Sequence, residues 1–133
     1  MLMPPFELHR PGTVEEACKI AAELLEAGQE FDWIAGGTDL IPNYKWHINT
    51  KPHVISLSGI EGVSQISMNE IGCMARLHDI AESEEVHPLI SEAASKVASS
   101  LIRRNATLGG NLCLDTRCFW FNQTEEWRSS IDW

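Results

Sequence analysis

The spacing of apolar residues first predicts a helix near the start of the chain. Apolar side chains recur at helical intervals over positions 14–25, and Thr13 stands three residues before Glu16, the pattern of a capping box. Gly28 follows the last apolar position and marks the end of the helix. Since such a helix has one apolar face, we expect that face to cover a sheet.

Two further helical patterns lie in the second half of the chain. Leu77 opens a short helix, and a longer one follows Pro88, where apolar residues recur at helical spacing over positions 89–98. The polar face of the longer pattern carries serines and a glutamate, and Ser99 is the last of them. Both patterns therefore predict helices that bury one side.

Short apolar or alternating runs between the helices predict strands. These runs cover positions 33–35, 53–57, 63–68 and 71–74, and turn residues separate them. The mixture of helices and strands predicts an α+β architecture. We expect a small β-α-β lobe over residues 1–57 and the opening of a second lobe over residues 58–133.

Charge and hydropathy exclude two classes of partner. The chain has 133 residues and a net charge of −9, and its longest basic run is the pair Arg103-Arg104, so it lacks the positive surface that a nucleic acid requires. Its apolar stretches fall well short of the roughly 20 residues that a membrane span needs. We expect a soluble cytoplasmic protein with neither nucleic acid nor membrane as a partner.

The cysteines and histidines carry little signal of their own. The four cysteines do not suggest a disulfide scaffold, and Cys18 and Cys73 fall in apolar patterns where a thiol packs as a small hydrophobe. Cys113 and Cys118 have C-x₄-C spacing but lack the following C-x₂-C of a plant-type ferredoxin. The five histidines show no metal-binding spacing, so we expect them to be surface or turn residues.

Two glycine pairs carry most of the functional signal. Gly36-Gly37 follows a predicted strand and precedes a short helical segment, and Gly109-Gly110 has a threonine two residues before it and Asn111 after it. Alone, each pair is more commonly a plain turn, and neither fits the dinucleotide fingerprint or the P-loop. Consecutive glycines do, however, let the main chain approach a ligand and aim N–H groups at it. Together the pairs resemble two halves of one pyrophosphate cradle.

At these residues the sequence resembles the FAD-binding subunit of the molybdenum hydroxylases, the xanthine dehydrogenase type, whose flavin domain has the PCMH-type fold. The resemblance runs along the whole chain. It rests on Phe6, Pro11, Thr13, Glu16 and Ala17, on the first loop at 35–40, on the connecting segments 55–60 and 71–72, and on the second loop at 106–113.

The resemblance implies that FAD lies between the two lobes and that backbone from both stretches holds its phosphates. The implied cofactor-binding residues are Trp33, Ile34, Ala35, Gly36, Gly37, Thr38, Asp39 and Leu40, with Thr107, Leu108, Gly109, Gly110 and Asn111. It also implies an electron-transfer oxidoreductase subunit with no side chain acting as a catalytic acid or base. Its partners would be a molybdenum-cofactor large subunit and a [2Fe–2S] small subunit, with ferredoxin or NAD as the external electron partner.

A narrower resemblance concerns the end of the chain. Residues 115–118, 122–124 and 127–128 are similar to the β subunit of 4-hydroxybenzoyl-CoA reductase, which carries an inserted [4Fe–4S] loop. Cys118 matches its first cluster ligand, and the other ligands would lie downstream. Subunits of this family continue well past this length, so the resemblance implies the N-terminal part of a longer subunit.

Two alternatives remain open at this point. The first is an ordinary hydroxylase flavin subunit that passes electrons from FAD to NAD⁺ or another acceptor. The second is a truncated interaction module that packs on partner subunits of such a complex without binding flavin. An uncovered sheet edge and apolar surface would support the second.

Overall fold

A computed structural model describes residues 2–115 and 123–131 of the chain. Its first half is built on a parallel sheet of three strands, β1 (Glu7–His9), β2 (Phe31–Ile34) and β3 (His53–Ser56), with β3 in the centre. The strands predicted at 33–35 and 53–57 are confirmed with small shifts in their ends. β1 has only three residues, too few for its pattern to predict a strand, and its partner is β3, far along the chain.

The first helix, α1 (Val14–Glu26), forms as its sequence predicts. The Thr13 hydroxyl accepts a hydrogen bond from the Glu16 N–H at 3.1 Å, and the Glu16 carboxylate accepts one from the Gly12 N–H at 2.7 Å. Two unpaired amides at the helix start are thereby satisfied. Ala17 and Ala21 form its buried face.

Tyr44 is the main packing residue of α2 (Leu40–Lys45). Its side chain is 1% exposed, and its ring meets Phe6 edge-on with the centroids 5.5 Å apart. Its hydroxyl donates to Asp32 Oδ2 at 2.8 Å and accepts from the Lys51 N–H at 3.0 Å. Tyr44 therefore ties α2 to β2 and to the segment that enters β3.

The rest of the described chain is mainly helical. Its helices are α3 (Leu77–Glu82), α4 (Pro88–Lys96), α5 (Ser100–Arg103), α6 (Leu108–Leu112) and α7 (Glu125–Ser129). This half has a hydrophobic core of its own, which we call the second core because it is separate from the packing around Tyr44. It consists of Ala75, Leu77, Ile80, Val86, Ala94 and Ala106. Within residues 2–115 and 123–131, every helix is too short or too polar to cross a membrane.

The helix predicted over 89–98 ends earlier than expected. α4 stops at Lys96, and Ala98 has a φ of 46°, a left-handed conformation that cannot continue a helix. Ser99, expected on the polar face of that helix, instead caps α5 by accepting from the Ile102 N–H. Arg103 donates to the carbonyls of Val97 and Ala98, which the early end leaves without helical partners.

The strands predicted at 63–68 and 71–74 form no regular ladder. They reduce to one antiparallel bridge between Ile66 and Ile71, supported by bonds from the Gly72 N–H to Gln65 and from the Met74 N–H to Val63. The backbones come so close that a Cβ on Gly72 would lie 2.3 Å from the Val63 carbonyl oxygen. This tight hairpin places Met74 and Ala75 in the wall of the cavity described below.

Tyr44 gives the fold a pH-dependent element. Burial, aided by the hydrogen bond to Asp32, raises the pKa of Tyr44 to about 12, although the Lys51 N–H opposes the shift. The unfolded chain ionises this phenol near pH 10, whereas the folded chain keeps the proton, so we expect the free energy of unfolding to fall as the pH rises from about 10 towards 12. Since Tyr44 is the chain's sole tyrosine, alkaline absorbance titration reports this group alone. An ionisation midpoint near pH 10 in the folded protein would contradict this expectation. The Tyr44→Phe variant, which has no tyrosine, gives the background absorbance.

Candidate functional site

The two glycine stretches, far apart along the chain, lie against each other in the fold. A Cβ on Gly36 would fall 1.9 Å from the Asn105 carbonyl oxygen and 3.3 Å from Ala106 Cα. A Cβ on Gly110 would lie 3.8 Å from Ala35 Cβ. The backbone after β2 thus packs directly on the backbone that leads into α6.

A cavity of about 500 Å³ opens beside this contact. Its walls come from four segments: the turn after β2, the residues after β3, the hairpin with the start of α3, and the approach to α6. The lining residues are Ala35, Gly36, Leu57, Ser58, Ile60, Ser64, Met74, Ala75, Arg76, Asp79, Asn105 and Thr107. We call this space the interlobe cavity, after the two lobes that the sequence predicts.

Local hydrogen bonding builds each wall of the interlobe cavity. The Leu57 N–H donates to the Ile34 carbonyl at 2.9 Å, which keeps the ends of β2 and β3 side by side. On the other side, Arg76 and Thr107 form an antiparallel bridge, with bonds of 2.9 Å from Leu77 to Ala106 and from Leu108 to Ala75. The cavity therefore lies at the carboxyl ends of parallel strands, a common ligand position in such sheets.

The first glycine pair presents open amides. Among the described residues, the N–H groups of Gly36, Gly37 and Thr38 have no acceptor within the chain. Gly37 has a φ of 69°, a conformation that glycine adopts without strain. Three consecutive donors of this kind suit an anionic oxygen-rich ligand.

The second glycine pair is used differently. It lies inside α6, where the Gly109 N–H donates to the Cys73 carbonyl at 2.7 Å and the Gly110 N–H donates to the Thr107 hydroxyl at 3.1 Å. A Cβ on Gly109 would lie 2.8 Å from Cys73 Cβ, so this glycine is needed for close packing. What the second stretch can offer a ligand is the hydroxyl proton of the 4% exposed Thr107 and the exposed amide of Asn111.

The other sequence-predicted site residues have varied positions. Trp33 stacks edge-on against Phe31, with centroids 5.5 Å apart, and lines a separate hollow of about 400 Å³. Asp39 Oδ2 accepts from Asn43 Nδ2 at 3.1 Å. Ile34 ends β2, Leu40 begins α2, and Leu108 packs on the second core. Cys118 lies outside the described residues, so its role as a cluster ligand stays a prediction.

The expected packing role of Cys18 and Cys73 is wrong. Cys18, Cys73 and Cys113 are all free and exposed. Cys18 lies on α1 away from the Ala17 and Ala21 face, and Cys73 lies in the hairpin and not in a strand. Apolar neighbours in the sequence therefore did not indicate burial here.

Two charged residues at the interlobe cavity have no motif in the sequence to reveal them. Arg76 precedes α3 and is the one cationic side chain among the lining residues described, while Asp79 lies in the first turn of that helix. Arg76 can neutralise an anionic ligand, and Asp79 can accept hydrogen bonds from hydroxyl groups. Only the bridge between Arg76 and Thr107 brings this arginine beside the second glycine stretch.

The Gly36 contact predicts a large cost for a single added methyl group. Gly36→Ala places a Cβ against the Asn105 carbonyl, so the two segments must separate, and we expect it to lower the free energy of unfolding by at least about 2 kcal/mol in urea denaturation. Gly12→Ala is the matched control because its Cβ meets nothing closer than Glu16 Oε2 at 3.8 Å. It should change the stability by less than about 0.5 kcal/mol. Equal costs for the two variants would refute the importance of this contact.

Similarity to known proteins identifies the family. Residues 4–118 match the family described as the FAD binding domain in molybdopterin dehydrogenase. The chain is 34% identical to the aldehyde oxidoreductase FAD-binding subunit PaoB of Escherichia coli (strain K12), over 93% of this chain and 40% of that protein. It is 32% identical to the carbon monoxide dehydrogenase medium chain of Hydrogenophaga pseudoflava, over 84% of this chain and 40% of that protein.

The structure agrees with the sequence similarity. It superimposes on a chain of the solved carbon monoxide dehydrogenase from Hydrogenophaga pseudoflava with a TM-score of 0.76 and 30% identity, covering 84% of this chain and 40% of that one. The chain thus spans about two fifths of the length of these relatives. The expected α+β flavin-domain fold is confirmed, whereas the narrower resemblance to 4-hydroxybenzoyl-CoA reductase stays a prediction. With its match over residues 4–118, the chain belongs to the family of FAD-binding domains of molybdopterin dehydrogenases.

Proposed function

We propose that the chain binds FAD at the interlobe cavity and acts as the electron-relay flavin part of a molybdenum hydroxylase-type oxidoreductase. The observation that carries this proposal is the set of open amides at Gly36, Gly37 and Thr38 beside a cavity walled by both glycine stretches. FAD is the cofactor of the family, and the family's cofactor contains the diphosphate that such amides suit.

The residues present fit a dinucleotide of this kind. A volume of about 500 Å³ is in the range of small-molecule and cofactor sites. The open amides supply neutral donors, Arg76 supplies a positive charge, and Thr107 supplies a hydroxyl, all of which suit phosphate oxygens. The carboxylate of Asp79 suits a sugar hydroxyl instead, because it would repel a phosphate.

This set of donors indicates different roles for the cofactor and for the protein. Bound FAD supplies the electron-transfer chemistry of its flavin ring, and the protein supplies binding and orientation. The described lining residues include no histidine, cysteine or lysine, so we assign the cavity residues to holding the cofactor and give none of them a proton-transfer role.

The wider setting extends the proposal to partners. The relatives include a subunit of an aldehyde oxidoreductase and the medium chain of a carbon monoxide dehydrogenase. By analogy we propose a molybdenum-cofactor large subunit and a [2Fe–2S] small subunit as partners, and ferredoxin or NAD as the external electron carrier. Residues 1–57 and 58–133 would be the two lobes that enclose FAD, in a cytoplasmic complex. The family favours this function over the interaction module that binds no flavin.

Flavin titration tests the proposed site. We expect FAD to bind the purified chain saturably and Gly110→Val to weaken the affinity by at least about tenfold. The added Cβ would lie 3.1 Å from the Thr107 hydroxyl oxygen, and the methyl groups would enter the gap to Ala35. Leu112→Val is the matched control, since it puts the same side chain on α6 at a position that is 75% exposed. Binding is followed by quenching of FAD fluorescence, and circular dichroism checks folding. Unchanged affinity in a folded Gly110→Val protein would contradict the placement of FAD.

The role of Arg76 can be separated from a structural role by a change of ligand. Arg76→Gln removes the positive charge, and we expect it to weaken FAD binding by about tenfold, which corresponds to one charge-assisted hydrogen bond. Riboflavin, which has no phosphate, should lose little affinity in the same variant. Equal losses for FAD and riboflavin would show that Arg76 does not act on the diphosphate.

A further inference from the structure

Glu7, His9 and His53 form a second cluster at the opposite end of the sheet. Glu7 and His9 are two residues apart on β1 and so point to the same face, and the register pairs Glu7 with His53 of β3. His9 Nε2 lies 3.2 Å from His53 Nδ1, and the Glu7 carboxylate oxygens lie 4.0 Å from the first nitrogen and 3.6 Å from the second. Three ligand-type atoms therefore lie within 4.8 Å of one another.

The distance between the two histidine nitrogens matches that around a tetrahedral metal ion. Zinc–nitrogen bonds of about 2.0–2.1 Å at tetrahedral angles hold two nitrogens about 3.3 Å apart. The observed separation of the His9 and His53 nitrogens is 3.2 Å. The rings are tilted by 39° with their centroids 5.3 Å apart, so the two nitrogens are brought together without parallel stacking of the rings. The Glu7 carboxylate oxygens, at 4.0 Å from His9 Nε2 and 3.6 Å from His53 Nδ1, must come closer to both nitrogens to complete a three-ligand set.

The burial of the three side chains also suits a metal site. The His9 and His53 side chains are 20% and 17% exposed, so the strands hold both imidazoles in place, whereas Glu7 is 67% exposed and can adjust. This partial burial corrects the expectation that both histidines are surface or turn residues. Three protein ligands leave a fourth position open to water.

We propose that Glu7, His9 and His53 bind a divalent transition-metal ion of the zinc type. Imidazole nitrogen and carboxylate oxygen are the ligands such ions take, and the two-histidine, one-carboxylate set is a recurrent one. In the free protein one ring donates a hydrogen bond to the other through these nitrogens. On binding, the proton of the donor ring moves to its other nitrogen, so that both facing nitrogens offer lone pairs.

The site is separate from the flavin cavity. His53 is the first residue of β3, whereas the nearest lining residue of the interlobe cavity along this part of the chain is Leu57, which follows the end of that strand. An ion at the cluster would link the edge strand β1 to the central strand, which are otherwise joined by one three-residue ladder. We therefore expect the ion to stabilise the sheet, and the proposal stands whether or not FAD binds.

The test is a zinc titration of the untagged, metal-stripped full chain by calorimetry, repeated with cobalt to read tetrahedral coordination from its visible absorption. We expect one ion per chain and a higher melting temperature in its presence. His9→Gln and His53→Gln should each weaken zinc affinity by at least about tenfold and abolish the thermal shift. His47→Asn is the matched control, because His47 has a left-handed φ of 56° that asparagine tolerates.

Two outcomes would overturn the proposal. The first is the absence of saturable zinc binding by the folded chain. The second is an affinity that is the same in His9→Gln, His53→Gln and His47→Asn. If a histidine variant fails to fold in chelator, Glu7→Gln replaces it, since this exposed side chain can change without disturbing the sheet. Unaltered zinc affinity in the folded Glu7→Gln protein would equally refute a site that uses this carboxylate.

Discussion

The rest of the structure depends on the close contact of two backbones at Gly36. The chain leaving β2 passes so near the Asn105 carbonyl that there is no room for a side chain between them. This contact joins the parallel sheet to the helical half, and the interlobe cavity exists because the two halves meet here and separate beyond it. Close packing of this kind tolerates little change in volume.

The two glycine pairs divide structural and binding roles unequally. Among the described residues, the N–H groups of Gly36 and Gly37 have no acceptor within the chain, whereas those of Gly109 and Gly110 donate to the Cys73 carbonyl and the Thr107 hydroxyl. The stretch around Gly109 and Gly110 thus mainly positions Thr107 and packs against the segment that follows β2.

Local signals in the sequence predicted local structure well. The Thr13 cap and the apolar spacing determined α1, and the apolar runs identified β2 and β3, because each depends on neighbours a few residues away. β1 has only three residues, so its pairing with β3 is a tertiary effect that no local rule indicates. The same limit applies to Arg76 and to the His9–His53 contact, which exist only through long-range register. The neighbours of the glycine pairs and the family resemblance predicted one site, and the two stretches do lie in contact, but which amides remain open depends on carbonyls elsewhere in the fold.

β1 is the shorter of the two edge strands, so we expect it to open before the rest of the sheet. β1 is short, lies at the border of the sheet, and is held by residues far along the chain, so its amides should exchange with deuterium before those of the central strand. Fraying of β1 would separate Glu7 and His9 from His53, and it needs no opening of the Gly36 contact, which lies beyond the end of β2. Opening and closing of β1 would then set how quickly a metal ion enters and leaves the cluster of Glu7, His9 and His53, independently of ligand binding at the interlobe cavity.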